Sequence, residues 1–232
     1  AIAISSFSQK VLAKYNLWAE ISKKGAGEIH NILIKDGDSS HSMEFNNDLV
    51  DNQTLGFLVS SDEIARALYK RAKASKYITI IDNTECLSLD YEKSLVKLSS
   101  WKTITAKLTV IADGKTSKGR DLLKLSVEQK SYDQVAFVFN IKHSVPHKNY
   151  AYEIFYNNGP FALLPLHSQH ESGVVWADRP KTKSIINDDL PLFTQLLEQR
   201  CKDVCGDVEL ISPINVFPLS LSYMKEYYKG RN

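Results

Sequence analysis

The sequence feature that most constrains the fold is a series of four apolar, strand-like segments in the second half of the chain. The segments are rich in Val, Phe, Tyr and Leu, and the links between them are short and carry Pro, Gly, Asn and His. Successive strands joined by turn-rich links are typical of an antiparallel meander. The segments cover residues 135–139, 150–155, 161–164 and 173–176.

Helical spacing of apolar residues occurs outside this region. Ser5 is a candidate N-cap for a short amphipathic helix, and Ser60 with Glu63 has the spacing of a capping box at the start of a second helix. A third helix is predicted near residues 188–200, and about two helical turns are predicted after Ser117.

Further strands are predicted by apolar runs bounded by turn residues. We therefore expect an α+β (mixed α/β) fold in which a helix-bearing α/β part is interrupted and then followed by an antiparallel sheet. The additional strands are predicted at residues 29–34 with 43–45 as a hairpin, 55–59, 77–81, 87–89 with 95–98 as a pair, and 106–112.

Composition excludes several classes of protein. Hydrophobic residues make up 43% and charged residues 24% of the chain, which is ordinary globular usage. A formal net charge of +2 gives no basic patch that would indicate a nucleic-acid partner. Three cysteines and no secretory signal favour a reducing, cytoplasmic location over a disulfide scaffold.

Several local patterns do not amount to a catalytic site. Residues 114–116 read GKT, but position 109 is Thr where a P-loop needs Gly. Cys201 and Cys205 share a helical face, but two thiols do not make a zinc site. No Gly-x-Ser-x-Gly elbow occurs, so a serine hydrolase has no nucleophile.

Four of the six histidines fall into two loop regions. The four residues His143, His147, His167 and His170 have no carboxylate at ligand spacing. A histidine cluster is conceivable, but solvated loop histidines are the favoured interpretation.

A corner at residues 110–120 (VIADGKTSKGR) is the strongest local candidate for binding. A strand that ends in Asp113-Gly114 and runs into a Ser-capped helix leaves backbone N–H groups near a turn. Such a turn suits a phosphate or diphosphate, although an ordinary turn between a strand and a helix has the same pattern.

Residues 112–120 also resemble the ADGxxSxxR motif of the para-hydroxybenzoate-hydroxylase-like flavoprotein monooxygenases. Within that group, the pattern is similar to the ubiquinone-biosynthesis hydroxylases of the UbiH/UbiF/VisC type. Five further segments match in the order of that family, which spreads the resemblance over nearly the whole chain. These are residues 1–18 (ALSxxS…LGLW), 132–136 (YxQxA), 151–165 (AxERF…GPxAxLPL), 173–176 (SLVW) and 217–219 (PL).

The resemblance implies an enzyme, namely an FAD-dependent aromatic hydroxylase that uses NAD(P)H and O2. In this family a flavin hydroperoxide transfers oxygen to a phenol or quinol that carries a polyprenyl tail. The cofactor supplies the difficult chemistry, and the protein orients the substrate and excludes water. The implied partners are a prenylated aromatic molecule and a ubiquinone-biosynthesis complex, with peripheral contact at the inner membrane.

The resemblance also implies site residues and domains. Asp113, Gly114, Ser117 and Arg120 would contact the cofactor. Phe155, Leu163, Pro165 and Trp176 would line an apolar substrate pocket, while no catalytic acid or base and no metal ligand is assigned. The implied ranges are 1–22 and 58–127 for a partial FAD-binding domain, 23–57 and 128–216 for an antiparallel-sheet substrate domain, and 217–232 for a return to the FAD domain.

Two family motifs are not present in the sequence. A Gly-x-Gly-x-x-Gly unit is expected before Ala1 and a GDAxH motif after Asn232, so the chain corresponds to the middle of such an enzyme. Two alternatives to the enzyme interpretation follow. The chain is either a non-catalytic module that binds a prenylated aromatic or a biosynthetic complex, or an unrelated α+β binding domain.

Overall fold

The structure is a computed structural model that describes residues 1–50 and 53–230. Among these residues, no helix combines the length and the apolar composition that crossing a bilayer requires. The helices are α1 Ser6–Lys14, α2 Trp18–Ile21, α3 Ser61–Lys73, α4 Lys118–Leu122, α5 Thr182–Asp188 and α6 Leu190–Cys205, with 3-10 turns at Ser22–Lys24 and Asn47–Val50.

The strands confirm the predicted α+β class. They are β1 Ile2–Ser5, β2 Gly27–Ile29, β3 Asn31–Lys35, β4 Ser42–Asn46, β5 Gly56–Val59, β6 Cys86–Asp90, β7 Leu95–Leu98, β8 Thr103–Thr105, β9 Val127–His143, β10 Tyr150–Tyr156, β11 Gly159–Pro165, β12 Glu171–Asp178, β13 Val208–Leu210 and β14 Asn215–Met224.

The chain divides into two compact units. The first contains Ala1–Ser75 and Asp133–Leu219, and the second contains Lys76–Tyr132 and Ser220–Asn232. Two of the three boundaries fall within β9 and β14, and the third follows α3, between Ser75 and Lys76. The assignment of a cofactor domain and a substrate domain to particular ranges stays a prediction.

The largest sheet of the first unit has the strand order β13-β9-β12-β11-β10-β3-β4, and β14 pairs with β9. Strands β10, β11 and β12 form the predicted antiparallel meander. The predicted place of the first segment in that meander is wrong, because β9 pairs with β12 and the parallel strand β3 occupies the position beside β10. The predicted hairpin of β3 and β4 is confirmed.

One face of this sheet packs against α6. Alternate residues of each strand point to that face, among them Phe137, Leu163 and Trp176, all less than 3% exposed. The ring of Phe193 on α6 lies 5.1 Å from Trp176 and 6.0 Å from Phe137. This aromatic cluster is the core of the unit.

The sequence specifies the limits of α6. Asp189 caps its first turn by accepting a hydrogen bond from the Leu192 N–H (3.0 Å), and Gly206 at φ +68 follows its last residue. The buried positions Phe193, Leu197, Cys201 and Cys205 repeat every four residues and therefore form one stripe.

A smaller sheet in the same unit has the order β1-β5-β2 and is flanked by α1 and α3. The predicted N-cap of α1 is confirmed, because the Ser5 hydroxyl accepts from the Ser8 N–H (3.2 Å). The predicted capping-box bond of Ser60 is not formed. Glu63 instead pairs with Lys24 and Arg66.

The second unit contains the sheet β6-β7-β8 and the short helix α4. The predicted pair of strands at residues 87–89 and 95–98 is confirmed by β6 and β7. The strands predicted at residues 77–81 and 106–112 are wrong, because the structure assigns no strand there. A strand exists only through a ladder of hydrogen bonds to a neighbour, which apolar composition alone does not supply.

Truncation of Phe193 tests the role of α6. Phe193→Ala is expected to lower the free energy of unfolding by about 3–5 kcal/mol, because it leaves a cavity among three aromatic rings. Chemical denaturation measures this change. Leu192→Ala, at the adjacent and 38% exposed position, is the control and is expected to cost less than about 1 kcal/mol. Equal losses in both variants would contradict the proposed packing.

Candidate functional site

A crevice of about 620 Å³ lies in the first unit and is the main candidate site. It is enclosed by the N-terminal turn of α3, the segment before β2, and the link between β11 and β12. Its volume is in the range that small organic ligands occupy. The polar and charged residues that line it are Lys24, Ser60, Asp62, Glu63, Asn140, His167, Ser168 and Glu171.

Two glycines allow the chain segments around the crevice to approach closely. A side chain at Gly27 would overlap the carbonyl oxygen of Pro165, so β2 passes the end of β11 backbone to backbone. Gly25 has φ +101, and a Cβ there would lie 2.6 Å from Cγ of His167. The imidazole of His167 therefore lies directly on the backbone of Gly25.

An ion-pair network fixes the wall formed by α3. The Lys24 ammonium lies 2.6 Å from Oε1 of Glu63, and Arg66 on α3 pairs with both Glu63 and Glu20. Hydrogen bonds from Lys24 and Arg66 hold the pKa of Glu63 below its usual value. The network connects the segment before β2, α2 and α3, and thereby positions Gly25.

Buried histidines hold the link between β11 and β12. His147 donates from Nε2 to the carbonyl oxygens of Ser168 (2.9 Å) and Leu166 (3.1 Å), and its Nδ1 accepts from the Asn149 N–H (3.0 Å). The imidazole of His143 contacts the Ser172 hydroxyl (3.0 Å). These bonds fix the backbone of the link between β11 and β12, which places His167 and Glu171 at the crevice.

The prediction that these histidines are solvated is wrong for two of the four. His143 is 4% and His147 is 6% exposed, whereas His167 and His170 are exposed. The loops fold over the two buried rings, and backbone carbonyls replace water as hydrogen-bond partners. Burial lowers the pKa of both rings and favours their neutral form.

The two helical cysteines belong to the core of the first unit. Cys201 and Cys205 are both buried against the large sheet. A hydrogen bond with Cys205, together with burial, raises the pKa of the Cys201 thiol well above its ordinary value. Within the described part of the chain, no cluster of three or more potential ligands could hold a metal ion.

In the second unit, the structure brings together the four predicted cofactor residues. The Asp113 carboxylate accepts from the Gly119 N–H (2.9 Å), and the Ser117 hydroxyl accepts from the Arg120 N–H (3.0 Å). Nη1 of Arg120 donates to the carbonyl oxygen of Lys115 (3.1 Å). These N–H groups were expected to be available for a phosphate, but Asp113 and Ser117 already occupy them.

Space is left beside this corner. Gly114 has φ +84, and among the described residues no heavy atom lies within 4 Å of a Cβ built there. Asp113, Gly114, Ser117 and Arg120 all border a cavity of about 370 Å³. The pKa of Asp113 lies below its usual value. The main cause is the hydrogen bond from the Gly119 N–H, and the second is the hydrogen bond with the Ser117 hydroxyl.

The four predicted substrate-pocket residues do not meet at one surface. Leu163 and Trp176 belong to the core against α6. Pro165 is buried, with its carbonyl against Gly27. Phe155 lies on the opposite face of the sheet and is 50% exposed. Their role as substrate contacts stays a prediction.

Sequence reasoning missed Asn140 and His167 as residues of a shared crevice. The available signal was the pair of glycines at positions 25 and 27, since closely spaced glycines indicate close backbone approach. These two glycines did not show which distant segments of the chain approach them.

A comparison with protein families gives a direct match. The family described as FAD binding domain matches residues 4–232. Among solved structures, a probable FAD-dependent monooxygenase of Pseudomonas aeruginosa, PqsL, superposes with a TM-score of 0.80 at 16% identity. That superposition covers 100% of this chain and 66% of PqsL, and it shows a shared fold.

Curated relatives include two ubiquinone hydroxylases. UbiM of Neisseria meningitidis is 27% identical over 238 residues, covering 100% of this chain and 51% of UbiM. UbiL of Rhodospirillum rubrum is 26% identical over 232 residues, covering 99% of this chain and 53% of UbiL. The chain thus spans about half the length of the curated relatives it matches.

Acidification tests the role of His147. The folded pKa lies below the ordinary value of 6.5, so the unfolded chain binds a proton more readily between the two values. The free energy of unfolding is expected to be highest above about pH 6.5 and to fall as the pH drops below it. Denaturation at several pH values measures this dependence, and His147→Gln is expected to reduce it.

High salt provides the control for this experiment. Salt screens surface charges but leaves the titration of a buried ring largely unchanged. A pH dependence that disappears in high salt, or that His147→Gln leaves intact, would contradict the assignment.

Substitution of Gly119 tests the corner in the second unit. A Cβ at this position would lie 2.7 Å from Cγ2 of Ile111, so Gly119→Ala is expected to destabilise the local fold by about 1–3 kcal/mol. Faster hydrogen exchange in Lys118–Leu122 measures this effect. Adding Ile111→Ala is expected to restore part of the protection, and Lys118→Ala is the exposed control. If adding Ile111→Ala restores no protection, the clash of the introduced side chain with Ile111 is not the cause of the faster exchange.

Proposed function

Because the chain belongs to the FAD binding domain family, we propose that it works as a flavin-dependent monooxygenase that hydroxylates a prenylated phenol or quinol in ubiquinone biosynthesis. The observation that carries the proposal is the match over residues 4–232 together with similarity, over nearly the whole of this chain, to about half the length of two ubiquinone hydroxylases. The proposed substrate comes from the names of those relatives.

The Asp113 corner fits a diphosphate in shape and charge. Gly114 leaves its backbone open to a bound group, and Lys115 and Arg120 supply positive charge nearby. The one carboxylate within the corner motif, Asp113, is exposed, and one of its oxygens accepts the hydrogen bond from the Gly119 N–H. We assign Asp113, Gly114, Ser117 and Arg120 to this part of the cofactor.

The crevice fits a flat aromatic ring. Leu58 and Val59 form an apolar wall, and Asn140, His167 and Glu171 supply polar groups around it. Polar side chains around an apolar wall orient a ring through hydrogen bonds to its substituents. The imidazole of His167, fixed over Gly25, is placed to hydrogen-bond the ring hydroxyl of a phenol.

The proposed reaction has the stoichiometry of a monooxygenase. One oxygen atom of O2 replaces a ring hydrogen, the other leaves as water, and NAD(P)H supplies the two electrons. The bound flavin supplies the activation of O2. The residues of this chain bind the ring, orient its hydroxyl and exclude water from the crevice.

An oxygen-labelling experiment tests the function. The FAD-loaded protein is expected to oxidise NADH or NADPH when a prenylated phenol is added, and the product is expected to carry one atom from labelled O2. Loss of a hydrogen bond to the ring in His167→Ala is expected to lower kcat/KM by roughly three- to tenfold. Steady-state kinetics and mass spectrometry measure both.

The control is His41→Ala, an exposed histidine between β3 and β4 that does not line the crevice. It is expected to retain full kcat/KM. NAD(P)H oxidation without label in the product would contradict the proposal, and equal effects of the two histidine variants would remove His167 from the site.

A further inference from the structure

A second cavity, of about 400 Å³, adjoins the crevice in the first unit. Gly25, Leu166 and His167 line both spaces. The other walls come from α2, the turn that follows it, β2, β5 and two loops of the large sheet. We call this space the side cavity; besides the shared residues, its walls include Trp18, Ser22, Glu28, Phe57, Asn149 and Gln169.

An aromatic pair forms one wall of the side cavity. The ring centroids of Trp18 and Phe57 are 4.8 Å apart, and the ring planes are tilted by 60°. Both side chains are half-buried and both line the cavity. The face of an aromatic ring carries partial negative charge, and Trp attracts a cation more strongly than Tyr or Phe does. This wall therefore favours a positively charged ligand.

The charge at the side cavity is negative as well. Glu28 on β2 is exposed and lines the cavity. Among the described residues, no Lys or Arg lines it. The ammonium group of the nearby Lys24 lies 2.6 Å from Oε1 of Glu63, at the crevice. An anionic ligand thus finds no positively charged partner in the walls, whereas a cation finds a carboxylate.

The hydrogen bonds of His30 leave the charge of Glu28 in place. Nδ1 of His30 lies 3.4 Å from Nδ2 of Asn149, and Nε2 of His30 lies 2.8 Å from Oε2 of Glu28. Because an amide N–H can only donate, Nδ1 accepts, and the hydrogen of the ring is on Nε2 and is donated to Glu28. This network assigns a neutral imidazole to His30, so the ring does not neutralise the carboxylate.

The remaining polar groups favour a cation without N–H donors. The Ser22 hydroxyl donates to the carbonyl oxygen of Trp18 (2.9 Å), which leaves its oxygen as an acceptor. The amide oxygens of Asn149 and Gln169 already accept, from Nε2 of Gln169 (2.8 Å) and from the Lys148 N–H (3.1 Å). A primary ammonium group has three hydrogen bonds to donate. A quaternary ammonium group has none, and aromatic faces are its usual partners in proteins.

We propose that the side cavity binds a small quaternary ammonium compound, with its charged group beside the rings of Trp18 and Phe57 and the carboxylate of Glu28. Such a site does not depend on the proposed hydroxylation. Its ligand borders His167, the same imidazole that we place at the hydroxyl of the ring in the crevice.

Three small alcohols provide the test. Choline is compared with its uncharged carbon analogue, in which a tert-butyl group replaces the trimethylammonium group, and with ethanolamine, which carries a primary ammonium group. Choline is expected to bind roughly tenfold more tightly than either. Binding is measured by NMR titration of the chain in phosphate buffer at physiological ionic strength, through the indole N–H signals of the three tryptophans.

The other two tryptophans are internal controls. Trp101 is 84% exposed in the second unit, and Trp176 is 1% exposed in the core of the first unit. Choline is expected to shift the signal of Trp18 and to leave the other two unchanged. Equal shifts at Trp18 and Trp101 indicate non-specific contact with exposed rings and overturn the inference.

Substitution of the proposed contacts is the second arm. Glu28→Gln is expected to weaken choline binding roughly three- to fivefold, because it removes the carboxylate and keeps the size of the side chain. Phe57→Leu is expected to weaken it by a similar factor, because an apolar side chain without a ring remains. An unchanged Trp176 signal establishes that each variant is folded.

Glu198→Gln is the matched control, because Glu198 is an exposed glutamate on α6 that does not line the side cavity. It is expected to bind choline like the unsubstituted chain. If Glu28→Gln binds choline as tightly as Glu198→Gln does, the inference is overturned. If ethanolamine binds as tightly as choline, the site accepts primary ammonium groups such as a lysine side chain of a partner protein, and the inference fails. Equal binding of the carbon analogue shows that charge is not recognised, which also overturns it.

Discussion

The packing of α6 against one face of the large sheet is the interaction on which the rest of the first unit depends. Phe193 lies among Phe137, Phe139 and Trp176, with ring centroids 5.1 to 6.0 Å apart. Next to this cluster, the guanidinium of Arg200 stacks over Trp176 at 4.7 Å. Since α6 occupies this face, side chains on the opposite face, such as Asn140 and Glu171, are left for the crevice.

The crevice depends on hydrogen bonds in its loops more than on the strands themselves. The link between β11 and β12 is tied to the neighbouring loop by His147, which donates to the carbonyls of Leu166 and Ser168. Gly25 and Gly27 bring the opposite wall into contact with the same link. The position of His167 is therefore set by residues from three separate parts of the chain.

The sequence predicted most strands and helices but not their arrangement. The strand-like sequence pattern shows that Phe155 and Trp176 belong to strands. Successive side chains of a strand point to opposite faces of the sheet, and the pattern does not show which face is buried. Only the position of α6 decides that Trp176 is core and Phe155 is exposed. The predicted strands at residues 77–81 and 106–112 failed for a related reason, since pairing depends on a neighbour that local pattern does not specify.

Histidine burial likewise escaped prediction, because the partners of His147 lie about twenty residues further along the chain. Asn140 and His167 meet in the crevice only after β9 pairs with β12. Residues brought together by non-local pairing cannot be found from spacing. In contrast, Asp113 and Arg120 are close in sequence, and their shared corner was predicted.

The structure also gives a physical explanation for the motif at residues 112–120. Asp113 and Ser117 each accept a backbone N–H within the motif, and Arg120 donates to the carbonyl oxygen of Lys115. Gly119 is required because a side chain there would strike Ile111. These polar side chains therefore maintain the shape of the turn, and the surface left open to a ligand is the backbone at Gly114. A match to such a motif therefore predicts the shape of the backbone directly. It predicts contacts between side chains and the cofactor only where that shape determines them.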